Sequence, residues 1–232
     1  MKRIDTQEIR SLELFREMAD DNFETLVRGA YIQNFPPQIE MITEEEPSDF
    51  LHIVVEGSVE LFSSWNGRET ALATIRPVSS FILAATIKDA PYLMSARTHE
   101  KSRIVLLPSV DVRAVFEVDH TFARSVVTEL AHCYRSVVKS TKNLKLRTAI
   151  ERLANYLLRQ HARAGGATEF ELKLEKRLLA SYLGMTPENL SRAIKALQPY
   201  GVYVKNSRVT ISDFDQLIEF AKPLASIDDP NY

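Results

Sequence analysis

The hydrophobic pattern of this 232-residue chain changes its period twice, and this change constrains the fold more than any other feature. Between residues 31 and 108, short runs of alternating or β-branched residues are separated by turn residues, with Asn66-Gly67 as a strong hairpin signal. The runs are 50–55, 58–62, 71–75 and 103–107. Before and after this region, apolar residues recur at helical spacing. We therefore predict an α+β fold with an N-terminal antiparallel β-roll flanked by helices.

A single long helix is predicted for residues 119–145, directly after the roll. At about 1.5 Å per residue it is roughly 40 Å long, more than one small β domain covers. Its apolar positions follow one another at spacings of 4, 3, 4, 3 and 4, which is the a/d pattern of a coiled coil. A second copy of the helix would bury this seam, and the alternative is one helix packed along its own domain. The predicted dimer seam consists of Val126, Leu130, Cys133, Val137, Ser140 and Leu144.

The last third of the chain has the pattern of a winged helix-turn-helix. An amphipathic helix is predicted over residues 149–161 and a strand over 169–174. Two short helices, 176–183 and 187–200, are joined by the glycine-containing turn 184–186. Two β-rich runs within 201–211 form a wing, and a last helix covers 213–221. We divide the chain into a β-roll domain with flanking short helices (1–118), a long helix with a predicted dimer seam (119–145) and a winged helix-turn-helix domain (146–232).

The net charge of -2 hides an uneven distribution along the chain. Residues 1–141 contain 15 basic and 21 acidic side chains, residues 142–212 contain 13 and 5, and residues 213–232 contain 1 and 5. A basic block next to an acidic one is typical of a nucleic-acid-binding module joined to a different domain. A solvated helical face would give the same pattern, so charge alone leaves both interpretations open.

Several classes of protein are excluded by composition. The seven glycines form neither of the two glycine-rich phosphate-binding loops, and the single cysteine cannot build a disulfide framework or a thiolate-rich metal site. The sequence has no signal-peptide core and no apolar run long enough to span a membrane. We therefore expect a cytoplasmic protein without a membrane partner.

The second helix of the predicted pair has the features of a DNA-reading helix. Thr186 suits the N-cap and Pro187 the first helical position. The outer face carries glutamate, which accepts from cytosine N4, arginine, which fits guanine O6 and N7, and serine, which suits either. A Glu-Arg pair four residues apart also forms simple helix-stabilising ion pairs, which is the alternative. The predicted DNA-binding residues are Thr186, Glu188, Asn189, Ser191, Arg192 and Lys195, with Lys205 and Arg208 in the wing.

The sequence resembles the cyclic-AMP receptor protein and fumarate-nitrate reductase regulator (CRP/FNR) superfamily over essentially its whole length. The resemblance rests on the order of elements and on KRLLASYLGMTPENLSRAIKAL at 176–197, in which Glu188, Ser191 and Arg192 form an E-x-x-S-R pattern. The C-terminal half is most similar to the denitrification and nitric-oxide-responsive branch. This resemblance implies a homodimeric transcription regulator, pseudo-palindromic DNA with TTGAT-like half-sites, and RNA polymerase as a partner.

The nucleotide pocket of this superfamily appears here in altered form. Its F-G-E element aligns with Phe81-Ile82-Leu83, and its R-[ST]-A element with Met94-Ser95-Ala96. The glutamate that holds the ribose and the arginine that pairs with the phosphate are thus both lost. An unpaired buried phosphate costs several kcal/mol, so we predict that cyclic AMP is not bound. Family turn glycines are replaced by Gln38, Glu45, Val78 and Ile82, so we expect altered loops.

Two readings of the sensor follow. An apolar pocket formed by Phe81, Ile82, Leu83, Leu93, Met94 and Ser95 admits haem or another apolar effector, as in the gas sensors of the family, with His132 as a weak candidate for the iron ligand. Equally, these residues form a collapsed, ligand-free core in a constitutive regulator.

No certain cofactor or metal site is predicted. The five histidines lack metal-ligand spacing and are assigned to surface or polar-contact positions, and Cys133 is interpreted as a buried small apolar residue. An enzyme using the roll cavity is a rival hypothesis, although the sequence has none of the common catalytic motifs.

Overall fold

The computed structural model of the chain describes residues 6–172 and 175–229. It contains two compact units, Met1–Cys133 and Tyr134–Tyr232, and the division between them falls within the long helix. The predicted division into three domains is a finer one and stays a prediction. The mixed α and β content agrees with the predicted fold class.

The first unit is an antiparallel β-roll with helices on either side in the sequence. Its elements are α1 (Thr6–Arg10), α2 (Glu13–Arg16), α3 (Asp20–Arg28), β1 (Tyr31–Phe35), β2 (Glu40–Ile42), β3 (Phe50–Glu56), β4 (Val59–Trp65), β5 (Arg68–Ile75), β6 (Ser79–Phe81), α4 (Leu83–Lys88), β7 (Ser95–Thr98), β8 (Ser102–Pro108) and α5 (Ser109–Val118). Two four-stranded sheets have the orders β1-β8-β3-β6 and β2-β7-β4-β5. The predicted hairpin is present, since Trp65 pairs with Arg68 and both Asn66 and Gly67 have positive φ.

Three turns of the roll keep a glycine-like backbone without glycine. Gln38, Glu45 and Ile82, which stand at expected glycine positions, have φ values of 62°, 73° and 66°. An L-residue in this left-handed region costs roughly 1–2 kcal/mol, and a β-branched side chain such as that of Ile82 is a clear outlier there. The φ angles at these three positions are thus of the kind that glycine favours, and a loop shape different from that of the family stays a prediction.

The long helix α6 (His120–Leu146) begins at a well-defined cap. One carboxylate oxygen of Asp119 accepts hydrogen bonds from the backbone of Thr121 and Phe122, at 3.0 and 2.9 Å. The other accepts from the backbone of Ala19 and the side chain of Asn22, at 2.9 and 3.0 Å. Burial alone would raise the pKa of Asp119, but a hydrogen bond from the Thr121 hydroxyl at 2.6 Å, together with those from Asn22, Phe122 and Ala19, outweighs it and holds the pKa well below its usual range. The helix agrees with the predicted 119–145 to within one residue at each end.

The second unit contains the winged helix-turn-helix and the last part of α6. Its further elements are α7 (Ala149–Arg163), β9 (Glu169–Glu171), α8 (Lys176–Tyr182), α9 (Pro187–Ala196), a 3-10 turn (Gln198–Tyr200), β10 (Val202–Lys205), β11 (Arg208–Ile211), α10 (Phe214–Ala221) and α11 (Ala225–Asp228). The strands form an antiparallel sheet of order β10-β11-β9.

The main differences from prediction in this unit concern one helix end, one strand and one additional helix. Helix α9 ends at Ala196 rather than at residue 200, because Pro199 cannot donate a helical hydrogen bond and Gly201 has a φ of 75°. Strand β9 is shorter than predicted, and residues 173 and 174 of the predicted strand lie outside the described part. Helix α11 was not predicted at all.

Candidate nucleic-acid interface

Helix α9 starts as its sequence predicts. The Thr186 hydroxyl accepts a hydrogen bond from the Asn189 backbone at 3.2 Å, and Pro187 occupies the first turn. The pKa of Glu188 is lowered by a hydrogen bond from its own backbone N–H, by one from the Thr186 side chain and by the charge of Arg192. Glu188 is thus an anion at the positive end of the helix dipole, and it faces solvent.

The two faces of α9 differ sharply in burial. Leu190, Ala193 and Leu197 are buried in the core of the second unit, where α9 packs against α7 and α8. This core also contains buried residues of α10 and of both wing strands, so the helix is fixed along its inner side. The predicted contact residues of the helix are all exposed: Thr186, Glu188, Asn189, Ser191, Arg192 and Lys195.

The two cations on this outer face have no salt-bridge partner among the described residues. Among residues 6–172 and 175–229, no carboxylate lies within 4 Å of the charged nitrogens of Arg192 or Lys195. The helix-stabilising ion pair between Glu188 and Arg192 is therefore absent from this part of the chain. Ser191 donates its hydroxyl to the Pro187 carbonyl at 3.0 Å, which leaves its oxygen as an acceptor.

The wing adds two further exposed cations in the same unit. Lys205 and Arg208 are paired across the β10–β11 hairpin, and the turn between them has Asn206 at a φ of 58°. Both side chains are exposed. Tyr203, on β10, is also exposed, and the sequence analysis did not single it out.

The turn between α8 and α9 requires glycine at one position. Gly184 has a φ of 62°, and a Cβ atom there would lie 2.6 Å from Cδ2 of Leu144 in α6. Its N–H donates to the Ser181 carbonyl at 2.8 Å, which closes the end of α8. A side chain at this position would strain the left-handed backbone and would require the Leu144 side chain to move.

The predicted effector pocket is mostly closed. Phe81, Leu83 and Ser95 are buried, and Ile82 and Met94 are half-buried. Phe81 and Leu83 belong to different clusters of the roll core, and Ser95 accepts a hydrogen bond from the Glu44 backbone at 3.0 Å. Leu93 is 81% exposed, so its assignment to an apolar pocket is wrong. The residues that should surround one guest molecule mostly pack against other parts of the roll.

Two cavities in the first unit lie away from these residues. One, of about 380 Å³, is lined by residues 47–49, 89–91, Ser109, Val110 and Arg113. The other, of about 570 Å³, is lined by residues of α1 and α3. Neither contains a residue of the predicted effector pocket.

The seam residues on α6 divide into two groups. Val126 is buried in the core of the roll, so its place in a seam between two chains is wrong. Leu130 packs partly against the same core, whereas Val137 is 62% exposed and Leu144 is 46% exposed. The heptad spacing predicts the same helix face for both groups, but the roll covers only the first turns of α6. The exposed apolar side chains of α6 include Val127, Tyr134, Val137, Val138 and Leu144.

Cys133 is exposed within its own chain, so its burial in a seam between two chains stays a prediction. His132 is exposed, in agreement with the assignment of the histidines to the surface, and by helical periodicity it lies on the opposite side of α6 from Val137. The same assignment is wrong for His52. His52 is only 3% exposed, and its Nδ1 has no hydrogen-bond partner within the described residues. Burial lowers the pKa of His52 to about 4, against the opposing effect of a hydrogen bond with the Phe50 backbone. His52 is thus a neutral core residue.

Two searches of the described residues gave no site of another kind. No cluster of three histidine, cysteine, aspartate or glutamate side chains among them is arranged to hold a metal ion. No helix within those ranges has the length and apolar character needed to cross a membrane.

Comparison with known proteins matches both units to described families. Residues 32–119 match the cyclic nucleotide-binding domain, and residues 151–220 match the Crp-like helix-turn-helix domain. A CRP-like cAMP-activated global transcriptional regulator from Mycobacterium tuberculosis is 24% identical over 195 residues, which are 82% of this chain and 87% of the relative. The transcriptional activator protein anr of Pseudomonas aeruginosa is 22% identical over 186 residues, 78% of this chain and 76% of that protein.

A solved structure shows the same fold over most of the chain. FixK2 from Bradyrhizobium japonicum is 23% identical, with a TM-score of 0.68, and the match covers 84% of this chain and 99% of that one. The relatives are transcription regulators, so the enzyme hypothesis is dropped. The chain has both domains in the order that these regulators have, and its helix-turn-helix carries the E-x-x-S-R pattern. It belongs to the CRP/FNR superfamily of DNA-binding transcription regulators.

Proposed function

We propose that two copies of the chain join along α6 and read a pseudo-palindromic DNA site with their α9 helices. The observation that carries this proposal is the outer face of α9, where Arg192 and Lys195 are exposed and have no carboxylate partner within the described residues. Exposed, unpaired cations are available to guanine or phosphate without breaking an internal contact.

Each residue of the face has a proposed role. Arg192 donates to O6 and N7 of a guanine, and Glu188 accepts from a cytosine N4. Ser191 accepts from a base amino group, because its own hydrogen is donated to Pro187. Thr186, Asn189 and Lys195 lie at the two ends of the helix and suit phosphate contacts. Lys205 and Arg208 of the wing bind the neighbouring backbone.

The proposed dimer follows from the uncovered side of α6. Val127, Tyr134, Val137 and Leu144 are exposed at heptad-compatible spacing, and Leu130 is only partly covered. A partner helix that buried them would remove this apolar surface from water, at about 25 cal/mol per Å². Two recognition helices related by a two-fold axis then match half-sites about one helical turn apart.

Selection of bound duplexes from a random pool tests this proposal. We expect the purified full-length chain to select a palindrome of two TTGAT-like half-sites, with binding that weakens steeply as salt increases. Selection of a single asymmetric half-site would contradict the dimer, and no selection above random DNA would contradict sequence-specific reading. Recruitment of RNA polymerase completes the proposal and is tested by transcription from a promoter that carries the selected site.

The proposed signal is not a cyclic nucleotide. Leu83 and Met94 occupy the positions of the two polar groups that the family uses, and the nearby Arg97 is already engaged by Glu60 and Glu69. The NH2 group of Arg97 lies 2.5 Å from a carboxylate oxygen of each. A phosphate would therefore find no free cation on this strand. Micromolar binding of cyclic AMP in calorimetry would overturn this part of the proposal.

Two candidates are left for regulation. Haem or another apolar effector would need the roll to open around Ile82, Leu83 and Met94, and His132 would need to face the site as iron ligand. A constitutive regulator needs neither change, and the tight packing of Phe81 and Leu83 favours it. A haem titration separates the two: a Soret shift that disappears in His132→Ala supports the first, and an unchanged spectrum of added haem supports the second.

A further inference from the structure

The junction between α6 and α7 is held by residues from the far C-terminal end of the chain. Asp228 in α11 forms a bidentate ion pair with Arg147, the residue that follows α6, at 2.8 and 2.5 Å. The same carboxylate accepts from Arg159 at 2.7 Å and from the Leu224 backbone at 2.8 Å. The side chains of Arg147 and Asp228 are only 8% and 10% exposed. This is the most buried ion pair among the described residues.

The C-terminal segment also contacts the last turns of α6 itself. We call residues 224–229 the C-terminal clasp. Lys139 donates to the Asp229 carbonyl at 2.6 Å, and Lys142 donates to the Ser226 hydroxyl at 2.7 Å. The clasp therefore spans two turns of α6 and the junction after it, all within the second unit.

Arg147 is connected to the helix-turn-helix through its carbonyl group. This carbonyl accepts a hydrogen bond from Arg152 at 2.7 Å. The other nitrogens of the Arg152 guanidinium donate to the carbonyls of Leu183 and Gly184, at 2.8 and 3.2 Å. One planar side chain thus joins the end of α6 to the turn that precedes the recognition helix.

A direct contact supports the same connection. The turn approaches α6 so closely that a Cβ atom on Gly184 would lie 2.6 Å from the Leu144 side chain. The position of the turn is therefore fixed by packing against Leu144 and by the hydrogen bonds of Arg152. The clasp fixes the opposite side of the same junction.

A buried ion pair is a weak source of stability, because desolvation of both charges offsets their attraction. Its geometry is specific, however, since a bidentate arginine-carboxylate pair defines both distance and orientation. In this protein such a pair lies where the dimer helix turns into the DNA-binding domain.

We propose that Arg147, Arg152 and Asp228 are positioning residues that fix the direction of α9 relative to α6 and thereby set the spacing of the two DNA half-sites. The inference rests on the proposed function, in which α6 joins two copies. If α6 defines the dimer axis, a rigid junction places the two recognition helices at one separation. A loosened junction lets each helix adjust, so that several half-site spacings become acceptable.

The test measures binding by the full-length chain to a set of duplexes. All carry the half-sites selected by the wild-type protein, either at the selected spacing or with one or two base pairs inserted or removed. In Asp228→Asn and in Arg152→Lys we expect the preference for the selected spacing to fall about tenfold, the effect of losing roughly one hydrogen bond to a charged group. Lysine keeps the charge of residue 152 but cannot reproduce the fork of donors.

Ser226→Ala is the matched control, because it alters the clasp without touching the junction. It should leave the spacing preference unchanged, and all three variants should keep the wild-type base preference within each half-site. The melting temperature of each variant is recorded as well. If Asp228→Asn does not fold, Arg152→Lys still tests the proposal.

An unchanged spacing preference in folded Arg152→Lys, with or without a lower melting temperature, would show a structural role only and overturn the inference. The same loss in Ser226→Ala would also overturn it, as would an altered base preference within a half-site. If the wild-type chain selects no palindrome, the proposed function fails first and this inference fails with it.

Discussion

Two arginines of the roll and four cations of α9 and the wing differ in whether carboxylates hold them. In the roll, Arg97 is held between Glu60 and Glu69, and Arg103 between Glu8 and Glu56. On α9 and the wing, Arg192, Lys195, Lys205 and Arg208 are exposed and have no carboxylate within 4 Å in the described part of the chain. The difference separates cations that maintain a fold from cations that are available to a ligand.

The same difference between paired and exposed cations affects which ligand each unit can bind. The roll has the fold of a nucleotide-binding domain, but its predicted pocket residues are mostly packed, and the cation nearest to them in sequence on β7 is paired. On α9 and the wing, the four exposed cations Arg192, Lys195, Lys205 and Arg208 form no salt bridge with any residue that the structure describes. Family membership alone would predict a ligand for each unit. The side chains instead favour DNA as the ligand of the second unit and a closed, ligand-free pocket in the roll.

The largest expected effect comes from breaking the proposed dimer. Val137→Glu places a charge on the exposed apolar side of α6, so two helices could not pair without burying it. We expect a monomer in sedimentation and a loss of operator affinity of about a thousandfold or more, down to non-specific binding.

Thr128→Glu is the matched control for Val137→Glu, since Thr128 is exposed on the opposite side of the same helix. It should leave both assembly and affinity as in the wild type. A wild-type monomer at micromolar concentration on operator DNA would show that α6 is not a dimer helix.

Removal of a paired cation from the roll tests the other half of the comparison. Arg97→Ala leaves Glu60, which is buried, without its ion-pair partner, and we expect a loss of about 3 kcal/mol in the free energy of unfolding. Arg76→Ala removes an exposed arginine from the same unit and should cost less than about 0.5 kcal/mol. Denaturant titration measures both.

The base preference of folded Arg97→Ala should stay that of the wild type. A changed preference would show that the paired cations of the roll also take part in DNA reading, which would break the distinction between the two units.

Buried His52 gives the roll a pH-dependent stability. Its pKa is about 4 in the folded state and near 6.5 when unfolded, so the unfolded chain binds more protons between these values. Stability is therefore lost as the pH falls, by about 2 kcal/mol between pH 7 and pH 5. His52→Leu should abolish this part of the pH dependence in denaturant titrations at the two pH values. An equal pH dependence in wild type and variant would contradict the assignment of His52 as a neutral core residue.

The sequence predicted the start of α9 correctly, because the signals for it are local. The Thr186 cap, the following proline and the 3–4 spacing of buried residues all act within a few positions. The ion pair between Arg147 and Asp228 joins residues 81 positions apart, and no local pattern indicates it. Helix α11 has four residues and no side-chain cap, so it also gave no signal.

The heptad pattern gave a wrong prediction on α6, because the core of the roll and a partner helix both require apolar residues on the same helix face. Val126 and Val137 share the heptad pattern, but the first packs into the roll and the second faces solvent. Only tertiary contacts distinguish them. Similarly, alignment to a family motif placed Leu93 in a pocket, whereas the turn before β7 directs it outward. His52 lies within the apolar run 50–55, and this context indicates burial, although its residue type suggests the surface.

The smallest expected effect is also the most specific, and it concerns Arg192. Arg192→Ala should cost roughly 1–3 kcal/mol on the selected site and remove discrimination at one base pair of each half-site. Lys195→Ala should weaken binding to all sequences alike and reduce the salt dependence. Lys88→Ala removes an exposed cation from the roll and serves as the control for net charge.

Binding of wild type and Arg192→Ala to a full set of single-base variants of the selected duplex therefore tests the central claim most directly. We expect the variant to lose its preference for guanine at a single position and to keep the wild-type preferences everywhere else. An equal loss of affinity on cognate and random duplexes would show that Arg192 does not read a base, and would contradict the assignment of the outer face of α9 as the reading surface.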